Sequence, residues 1–224
     1  MVDMQRELDL VTSLHQKSKR NYLERVTQFD KGQCATVAKL YGKDYWDGQR
    51  QYGYGGYHYD GRWAPVAMRL IEQYSLTDQS RILDVGCGKG YLLYEIKKLL
   101  PGAQVRGIDI SEYALRNSKE EIRASLSIAN ATKLPFSDQE FDLVISLTTL
   151  HNLMIQELAQ ALKEIQRVTQ KDAYLVVESY RNESEKANLL YWQLTCESFF
   201  SPTEWIWLFD HFGYRGDYEF ICFT

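Results

Sequence analysis

The stretch LDVGCGKG, residues 83–90, decides how this chain folds. It follows an apolar run and precedes an amphipathic segment at 91–100, so it lies at a predicted strand-to-helix turn. Gly86, Gly88 and Gly90 alternate with other residues, which lets the backbone turn tightly and approach a ligand where a Cβ would clash. This G-x-G-x-G spacing is neither the dinucleotide pattern G-x-G-x-x-G nor the phosphate-binding pattern G-x-x-x-x-G-K-S/T. The stretch therefore predicts a binding turn at the end of a strand.

Short apolar runs alternate with amphipathic segments on both sides of this turn. The strand-like runs are RILDV (81–85), QVRGIDI (104–110), FDLVISL (141–147) and AYLVVES (173–179), with helices expected at 91–100, 111–123 and 155–168. FDLVISL is almost continuously apolar, which is typical of a strand buried on both faces of a parallel sheet. The alternation predicts an α/β fold with a doubly wound, mostly parallel sheet and right-handed crossovers.

The segment before this core has a different character. Apolar residues recur among charges at three- and four-residue steps over residues 1–40, which predicts helix. Residues 41–63 are rich in Tyr and Gly without either period and predict a loop. Pro65 opens a helix that runs to Tyr74, because its missing N–H costs nothing in a first turn. We expect residues 1–76 to form an N-terminal helical lid.

The remaining residues, 77–224, are expected to form the binding domain. Their tail contains an aromatic helical insertion near 183–212, read as helices over 183–200 and 202–212. Such an aromatic stripe is more often core or dimer contact than a substrate site, so a homodimer is possible. The stretch YRGDYEFICF, residues 214–223, predicts a strand or a short hairpin about Gly216-Asp217.

Composition narrows the possible partners. The chain has 224 residues and a formal net charge of −4, and its 26 Lys and Arg are scattered. That balance argues against nucleic-acid and membrane-surface partners and favours a small molecule. The four cysteines share no CxxC spacing and the carboxylates show no metal-ligand cluster, so no metal site is expected. No transmembrane or secretory stretch is apparent, and a reducing cytoplasm is the expected location.

Four further motifs follow the glycine turn in order. Asp109 ends the second predicted strand, where a carboxylate can accept both hydroxyls of a ribose. The motifs are GIDIS (107–111), NATKLPFSDQEFDLVIS (130–146), LHNL (150–153) and LKEIQRV (162–168). In this order and spacing, the region from about Arg81 to Glu178 resembles the class I S-adenosylmethionine-dependent methyltransferases. The run YGYGGYHYDGRW (52–63) with ESYRNE (178–183) further resembles a bacterial methyltransferase-like group without a known substrate.

The resemblance implies a Rossmann-like sheet, S-adenosyl-L-methionine as cofactor and a set of residues that bind it. The motif glycines would pass under the methionine part of the cofactor, and Asp84 would orient the loop or the amino group. Asp109 would hold the ribose. The remaining expected cofactor contacts are Ile110 against the adenine, Asn130 and Ala131 at the adenine edge, Leu147 in the cleft wall and Arg62 at the methionine carboxylate.

Three of these assignments have ordinary structural alternatives. The glycines would also suit a tight turn alone. Asp109 would also suit a cap for the helix that follows it, and Asn130 an ordinary turn. The family usually has Asp where this chain has Asn130, although the amide oxygen of Asn can still accept a hydrogen bond from an exocyclic amine.

His151 follows the fourth predicted strand at the carboxyl edge of the sheet and is the candidate general base. Its alternative is packing beside the next helix. The polar run 178–182 leaves the fifth predicted strand at the same edge. From this run and the Tyr/Gly segment, the expected substrate-binding residues are Tyr52, Tyr54, Tyr57, Tyr180 and Arg181. Packing of the N-terminal helices is the alternative for the tyrosines, and a solvated loop charge for Arg181.

Three functions remain open from the sequence. The first is methyl transfer from S-adenosylmethionine to an oxygen or nitrogen of a small molecule. The second is another sulfonium chemistry, such as cyclisation, elimination or aminocarboxypropyl transfer, which would release methylthioadenosine. The third is a non-catalytic cofactor-binding partner protein, because a fold does not define its function.

Overall fold

The computed structural model describes residues 5–15 and 20–224, which contain one sheet of six parallel strands. The strands are β1 (Arg81–Val85), β2 (Gln104–Asp109), β3 (Leu126–Ile128), β4 (Phe141–Leu147), β5 (Thr169–Ser179) and β6 (Asp217–Cys222). Their order is β3-β2-β1-β4-β5-β6, and every neighbouring pair is parallel. The doubly wound α/β sheet predicted from the sequence is confirmed. The short strand β3 was not predicted as a separate element.

Helices cover both faces of this sheet. They are α1 (Thr12–His15), α2 (Tyr22–Thr27), α3 (Lys31–Ala38), α4 (Lys43–Asp47), α5 (Ala64–Gln73), α6 (Tyr91–Leu99), α7 (Glu112–Arg116), α8 (Glu120–Arg123), α9 (Ile155–Val168), α10 (Glu183–Trp192) and α11 (Pro202–His211). α5, α6 and α10 share one apolar cluster with the sheet, and α9 and α11 share the other. Both faces of the sheet are thus buried, as a parallel sheet requires.

The N-terminal residues do not form the long helix predicted for 1–40. Residues 1–4 and 16–19 of that range lie outside the described part of the chain, and the rest forms three short helices. Asn21 caps α2 and Asp30 caps α3, each through its side-chain oxygen, so each begins a new helix. Before α1 the chain is extended, and Glu7 pairs with Tyr218 beside β6.

Three further boundaries differ from the sequence prediction. The segment predicted as helix over 111–123 divides into α7 and α8, and the one predicted over 183–200 ends at Trp192. Beyond that point the backbone N–H groups of Glu197 and Ser198 both donate to the His151 carbonyl, which holds the segment in a non-helical path. β6 continues the sheet beside β5 as a single strand and forms no hairpin.

Candidate active site

A cleft of about 280 Å³ opens at the carboxyl ends of β1, β2 and β4. This is where the strand order reverses between β1 and β4, the usual ligand position in open α/β sheets. Most of the predicted cofactor residues line it, namely Asp84, Gly86, Gly88, Asp109, Ile110, Asn130, Ala131 and Leu147. The structure therefore brings these eight predicted residues together.

The turn between β1 and α6 depends on its glycines. Gly86, Gly88 and Gly90 have φ of +83°, +55° and +69°, a region that L side chains rarely adopt. A Cβ on Gly86 would lie 2.1 Å from Thr149 Oγ1, so this position also has no room for a side chain. Gly90 precedes the first residue of α6 and does not line the cleft.

Asp109 fixes the glycine turn from the neighbouring strand. Its Oδ2 accepts a hydrogen bond from the Gly88 N–H at 2.8 Å, and its Oδ1 accepts one from the Ser111 N–H at 2.7 Å. Each carboxylate oxygen has a second lone pair, so both can still accept a hydroxyl from the cleft. The capping alternative is wrong for Asp109, because the N-cap residue of α7 is Ser111, whose own hydroxyl oxygen accepts from the Ala114 N–H.

Asp84 places a second buried carboxyl in the same cleft. Burial, together with the nearby charge of Asp109, raises the pKa of Asp84 to about 8. Burial also raises the pKa of Asp109. A cationic group in the cleft would favour ionisation of both side chains, and their chemistry therefore suits a ligand with a positive charge and vicinal hydroxyls.

The far end of the cleft is apolar and partly open. The Ile110 side chain is 53% exposed there, which leaves an apolar surface that a flat ring can cover. Asn130 differs from its expected role, because its Oδ1 accepts hydrogen bonds from both the N–H and the hydroxyl of Thr132 at 2.9 Å. Both lone pairs of this oxygen are thereby used, so it does not remain available for an adenine amine.

Aromatic rings from the Tyr/Gly segment cover the glycine turn. Trp46 stacks on Tyr54 with ring centroids 5.2 Å apart, and Tyr54 lies 4.6 Å from Tyr57. A Cβ on Gly88 would come within 2.8 Å of the Trp46 ring. Residues 41–63 thus pack directly on the turn, with α4 and a 3₁₀ turn at Arg50–Tyr52 instead of a loop throughout.

A buried ion pair ties the same two segments together. Lys89 Nζ donates to both carboxylate oxygens of Asp47, at 2.8 and 2.7 Å, and to the Tyr57 carbonyl. Sequence reasoning assigned no role to Trp46, Asp47 or Lys89. The position of Lys89 inside the glycine turn was the available signal.

A second cavity of about 310 Å³ adjoins the first. Six residues line both cavities, and they form the wall between them: Tyr45, Tyr54, Tyr57, Trp63, Thr148 and Asn152. His151 and Glu178 line the second cavity only. An acceptor in the second cavity would therefore have to reach the cofactor between these largely aromatic side chains.

The side chains of His151 and Glu178 form a buried pair. Nε2 of His151 lies 3.3 Å from Oε2 of Glu178, and the two side chains are 2% and 4% exposed. His151 Nδ1 accepts a hydrogen bond from the Glu178 N–H at 3.3 Å, so the proton of a neutral imidazole belongs on Nε2, facing the carboxyl. Burial raises the pKa of Glu178 to about 8. Of the polar run 178–182, Glu178 is the residue that reaches a cavity.

The family described as "Methyltransferase domain" matches residues 76–212, more than half of the chain. The chain belongs to this family. The S-adenosylmethionine dependence and the transferase activity expected from the class I resemblance agree with this family. The donor set of the first cavity, two carboxyl groups and an apolar end, fits that cofactor.

The relatives of this methyltransferase include two curated proteins. The mitochondrial arginine-hydroxylase NDUFAF5 of Mus musculus is 38% identical over 95 residues, 42% of this chain and 27% of that protein. The malonyl-[acyl-carrier protein] O-methyltransferase of Legionella pneumophila is 33% identical over 109 residues, 46% of this chain and 38% of that protein. The chain thus matches less than half the length of each of these relatives.

A solved structure supports the same fold. The crystal structure of a SAM-dependent methyltransferase from Methanosarcina mazei aligns with a TM-score of 0.51 and 25% identity. The alignment covers 64% of this chain and 82% of that one.

Four predicted site residues of the methyltransferase lie elsewhere than expected. Arg62 lines the second cavity, and its guanidinium pairs with Asp60 across the turn at Gly61, so it does not face the first cavity. Tyr52 packs against the apolar cluster of Cys34, Ala38 and Leu194.

The other two misplaced residues follow β5. Tyr180 packs against the sheet and lies under the Lys186 ammonium at 5.0 Å, whereas Arg181 forms an ion pair with Glu185 one helical turn away. Tyr52, Tyr180 and Arg181 line neither cavity. The substrate role expected for these three residues is therefore corrected to packing and surface pairing.

Two features are absent from residues 5–15 and 20–224. In this part of the chain, no group of three or more His, Cys, Asp or Glu side chains is arranged to hold a metal ion. No helix there is both long enough and apolar enough to cross a membrane.

Proposed function

We propose that this methyltransferase transfers the methyl group of S-adenosylmethionine to an oxygen or nitrogen of a small molecule held in the second cavity. The observation that carries this proposal is the pair of adjoining cavities, which share a wall of six residues. One cavity has the glycine turn and two carboxyl groups, and the other has the His151–Glu178 pair.

The first cavity supplies binding and orientation. Asp109 accepts the ribose hydroxyls, Asp84 attracts the positive charge of the amino acid end, and Ile110 covers the adenine face. When bound, the cofactor supplies a methyl group on a sulfonium. Trp46, Tyr54 and Tyr57 exclude water above the turn, which strengthens the carboxylate contacts because the surroundings have a low dielectric constant.

The second cavity supplies the proton acceptor. A hydroxyl or ammonium acceptor must lose a proton when it is methylated, and the His151–Glu178 pair lies in the cavity wall to take it up. Because His151 Nδ1 already accepts from a backbone N–H and Nε2 faces the carboxyl, the pair acts as a unit and His151 is not an isolated base.

A small acceptor agrees with the dimensions and the charge of the molecule. The second cavity measures about 310 Å³, near the lower end of small-molecule sites. The net charge of −4 disfavours nucleic acid as a substrate. The Legionella relative is named as an O-methyltransferase, which supports oxygen as one possible target. We propose a cytoplasmic location, because the cysteine usage is typical of a protein in a reducing compartment. A measurement of molecular size in solution tests for a homodimer.

Product analysis tests this function. The protein is first titrated with S-adenosylhomocysteine by calorimetry. It is then incubated with methyl-labelled S-adenosylmethionine and a panel of hydroxy acids and amino acids. Transfer of label with release of S-adenosylhomocysteine is the expected result. Methylthioadenosine without S-adenosylhomocysteine would establish another sulfonium chemistry, and binding without turnover of any acceptor would favour a non-catalytic protein.

A further inference from the structure

The second cavity has a cationic wall that the proposed methyl transfer does not use. Its lining residues include four arginines, Arg20, Arg25, Arg50 and Arg62. Glu178 is the one acidic residue among the described lining residues, and its carboxyl lies beside His151. The wall therefore carries more positive than negative charge.

Arg25 and Arg50 are held by backbone carbonyls. Arg25 donates from Nε to the Trp192 carbonyl at 2.7 Å and from Nη1 to the Arg50 carbonyl at 3.3 Å, and Arg50 Nη1 donates to the Gly53 carbonyl. Among residues 5–15 and 20–224, no Asp or Glu forms an ion pair with either of them. Seven other described arginines do have carboxylate partners, namely Arg6, Arg62, Arg81, Arg116, Arg167, Arg181 and Arg215.

These like charges converge on one aromatic ring. The guanidinium carbons of Arg25, Arg50 and Arg20 lie 4.7, 5.0 and 5.5 Å from the Trp192 ring centroid. Burial and the neighbouring Arg50 lower the pKa of Arg25 to about 10. The pKa of Arg50 is lowered as well, chiefly by burial. Cations that repel each other gain an attractive partner when an anion lies between them.

We propose that the second cavity binds acceptors through an anionic group, a carboxylate or a phosphate, held by Arg25 and Arg50 against Trp192. The inference rests on the proposed methyl transfer, because it assigns the substrate class of that same site. Guanidinium groups bind both kinds of anion through paired N–H donors, so the shared chemistry is an oxyanion.

The wall between the two cavities defines the rest of the ligand. Asn152 Oδ1 is buried on this wall and has no hydrogen-bond partner among the described residues, while its Nδ2 donates to the Thr148 carbonyl at 3.4 Å. A buried oxygen without a hydrogen-bond donor is destabilising, and a ligand hydroxyl or amine would supply the missing donor. The substrate that accepts the methyl group thus carries an oxyanion at one end. At its other end, which faces the cofactor, it carries an O–H or N–H group.

Binding of small aromatic probes tests this assignment, because the cavity wall is largely aromatic. The protein saturated with S-adenosylhomocysteine is titrated calorimetrically with 4-hydroxybenzoate and with 4-hydroxyphenyl phosphate, and with the neutral counterparts 4-hydroxybenzamide and hydroquinone. We expect each anion to bind about tenfold or more tightly than its neutral counterpart. Raising the salt concentration should weaken the binding of the anions more than the binding of the neutral probes. The two anions distinguish a carboxylate site from a phosphate site.

Three substitutions locate the site. Arg25→Met and Arg50→Met should each lower the affinity for the preferred anion by about tenfold or more. The matched control is Arg215→Met, which removes a charge that is paired with Asp210 at the surface and should change anion affinity by less than about twofold. Arg50→Lys keeps a charge without the paired donors and should recover part of the binding. The melting temperature of each variant shows whether it folds.

The outcomes separate this inference from the proposed function. Binding of S-adenosylhomocysteine without any preference for anions would overturn the inference and leave methyl transfer standing. Anion binding that needs Arg25 and Arg50, in a protein that transfers no methyl group, would support the site and overturn the function. Loss of S-adenosylhomocysteine affinity in both arginine variants would assign the arginines to the cofactor carboxylate and overturn the inference.

Discussion

Two carboxyl groups of different character meet in the cofactor cleft. Asp109 is held by two backbone N–H donors, which anchor its position whatever occupies the cleft. Asp84 is 4% exposed, and its pKa is raised to about 8 by burial and by the charge of Asp109. Near neutral pH, Asp84 is therefore mostly protonated in the ligand-free protein, and a cationic ligand must displace its proton.

Cofactor binding should release a proton from Asp84. Affinity for S-adenosylmethionine should then rise as pH increases toward about 8, where Asp84 ionises without the ligand, and level off above it. Calorimetry at neutral pH in buffers of different ionisation enthalpy measures the released proton directly. Asp84→Asn should remove most of that release. Equal proton counts in the two proteins would contradict the assignment.

The His151–Glu178 pair should determine how turnover depends on pH. Burial raises the pKa of Glu178 to about 8, so the proton acceptor becomes available as pH rises through that value. We expect the rate to rise with pH to about 8 and then to level off. Glu178→Gln should abolish this rise and lower kcat by about 100-fold to 10,000-fold, with unchanged affinity for S-adenosylhomocysteine. A variant that keeps the wild-type pH profile would exclude the pair as proton acceptor.

At the level of elements, the glycine turn and α4 are joined by the Lys89–Asp47 ion pair. Lys89 is 3% exposed at its side chain and Asp47 is 17% exposed. Burial alone would raise the pKa of Asp47, but hydrogen bonds from Lys89, the Tyr57 N–H and the Tyr113 hydroxyl lower it overall. The Tyr/Gly segment is thus attached to the cofactor turn by a buried polar network as well as by stacked rings.

Breaking this pair should loosen the segment over the cofactor. Lys89→Met leaves the partly buried Asp47 carboxylate without its cation and should lower the free energy of unfolding by about 2–3 kcal/mol. Affinity for S-adenosylhomocysteine should fall as well, because Trp46 and Tyr57 cover the turn. Urea unfolding and calorimetry measure the two effects.

A double-mutant cycle identifies the cause. The double variant Lys89→Met, Asp47→Asn should lose less free energy of unfolding than the two single variants lose in sum, with a coupling energy of about 1 kcal/mol or more. The exposed Lys133→Met is the control and should change stability by less than about 0.5 kcal/mol. Additive effects of the two substitutions would show that the ion pair does not hold the segment.

Over the whole molecule, the N-terminal segment closes on the last strand. Glu219 on β6 is buried, and its carboxylate accepts hydrogen bonds from the N–H groups of Leu10, Val11 and Thr12 and from the Tyr174 hydroxyl. Beside it, Asp217 accepts from Arg6, at 2.7 Å from Nη2 to Oδ2. Residues about 200 positions apart thus form one polar junction.

Glu219→Gln should destabilise the entire fold. The amide keeps one acceptor oxygen and turns an NH₂ group toward backbone donors, so at least one buried N–H loses its partner, at a cost of about 2–4 kcal/mol. For a chain of this length, the melting temperature should fall by about 5–12 °C, measured by circular dichroism. The exposed Glu72→Gln serves as the control. A local loss of structure without a change in the main transition would show that the junction is not part of the cooperative core.

Local sequence signals predicted the central part of the molecule well. The periodic apolar segments placed β1, β2, β4, α6 and α9 within a residue or two of their observed ends. In the cleft, the turn glycines were found from their spacing, because the same short stretch both forms the turn and presents its backbone to the ligand. Asp109 was found from its place at the end of the next predicted strand, and the family resemblance gave both their expected roles. The capping residues Asn21 and Asp30 were available signals for the broken N-terminal helices, but the prediction for 1–40 used only the apolar periodicity.

The sequence by itself determined the parallel α/β sheet, the binding turn at 83–90 and the methyltransferase family. Each depends on residues close together in the chain or on regular strand-and-helix alternation. Only the tertiary structure decided that Arg25 and Arg50 converge on Trp192, that Glu178 faces His151, and that Arg181 turns away to Glu185. The physical reason is that burial and long-range pairing define the charge and shape of a cavity. Local periodicity of the sequence predicts neither of them.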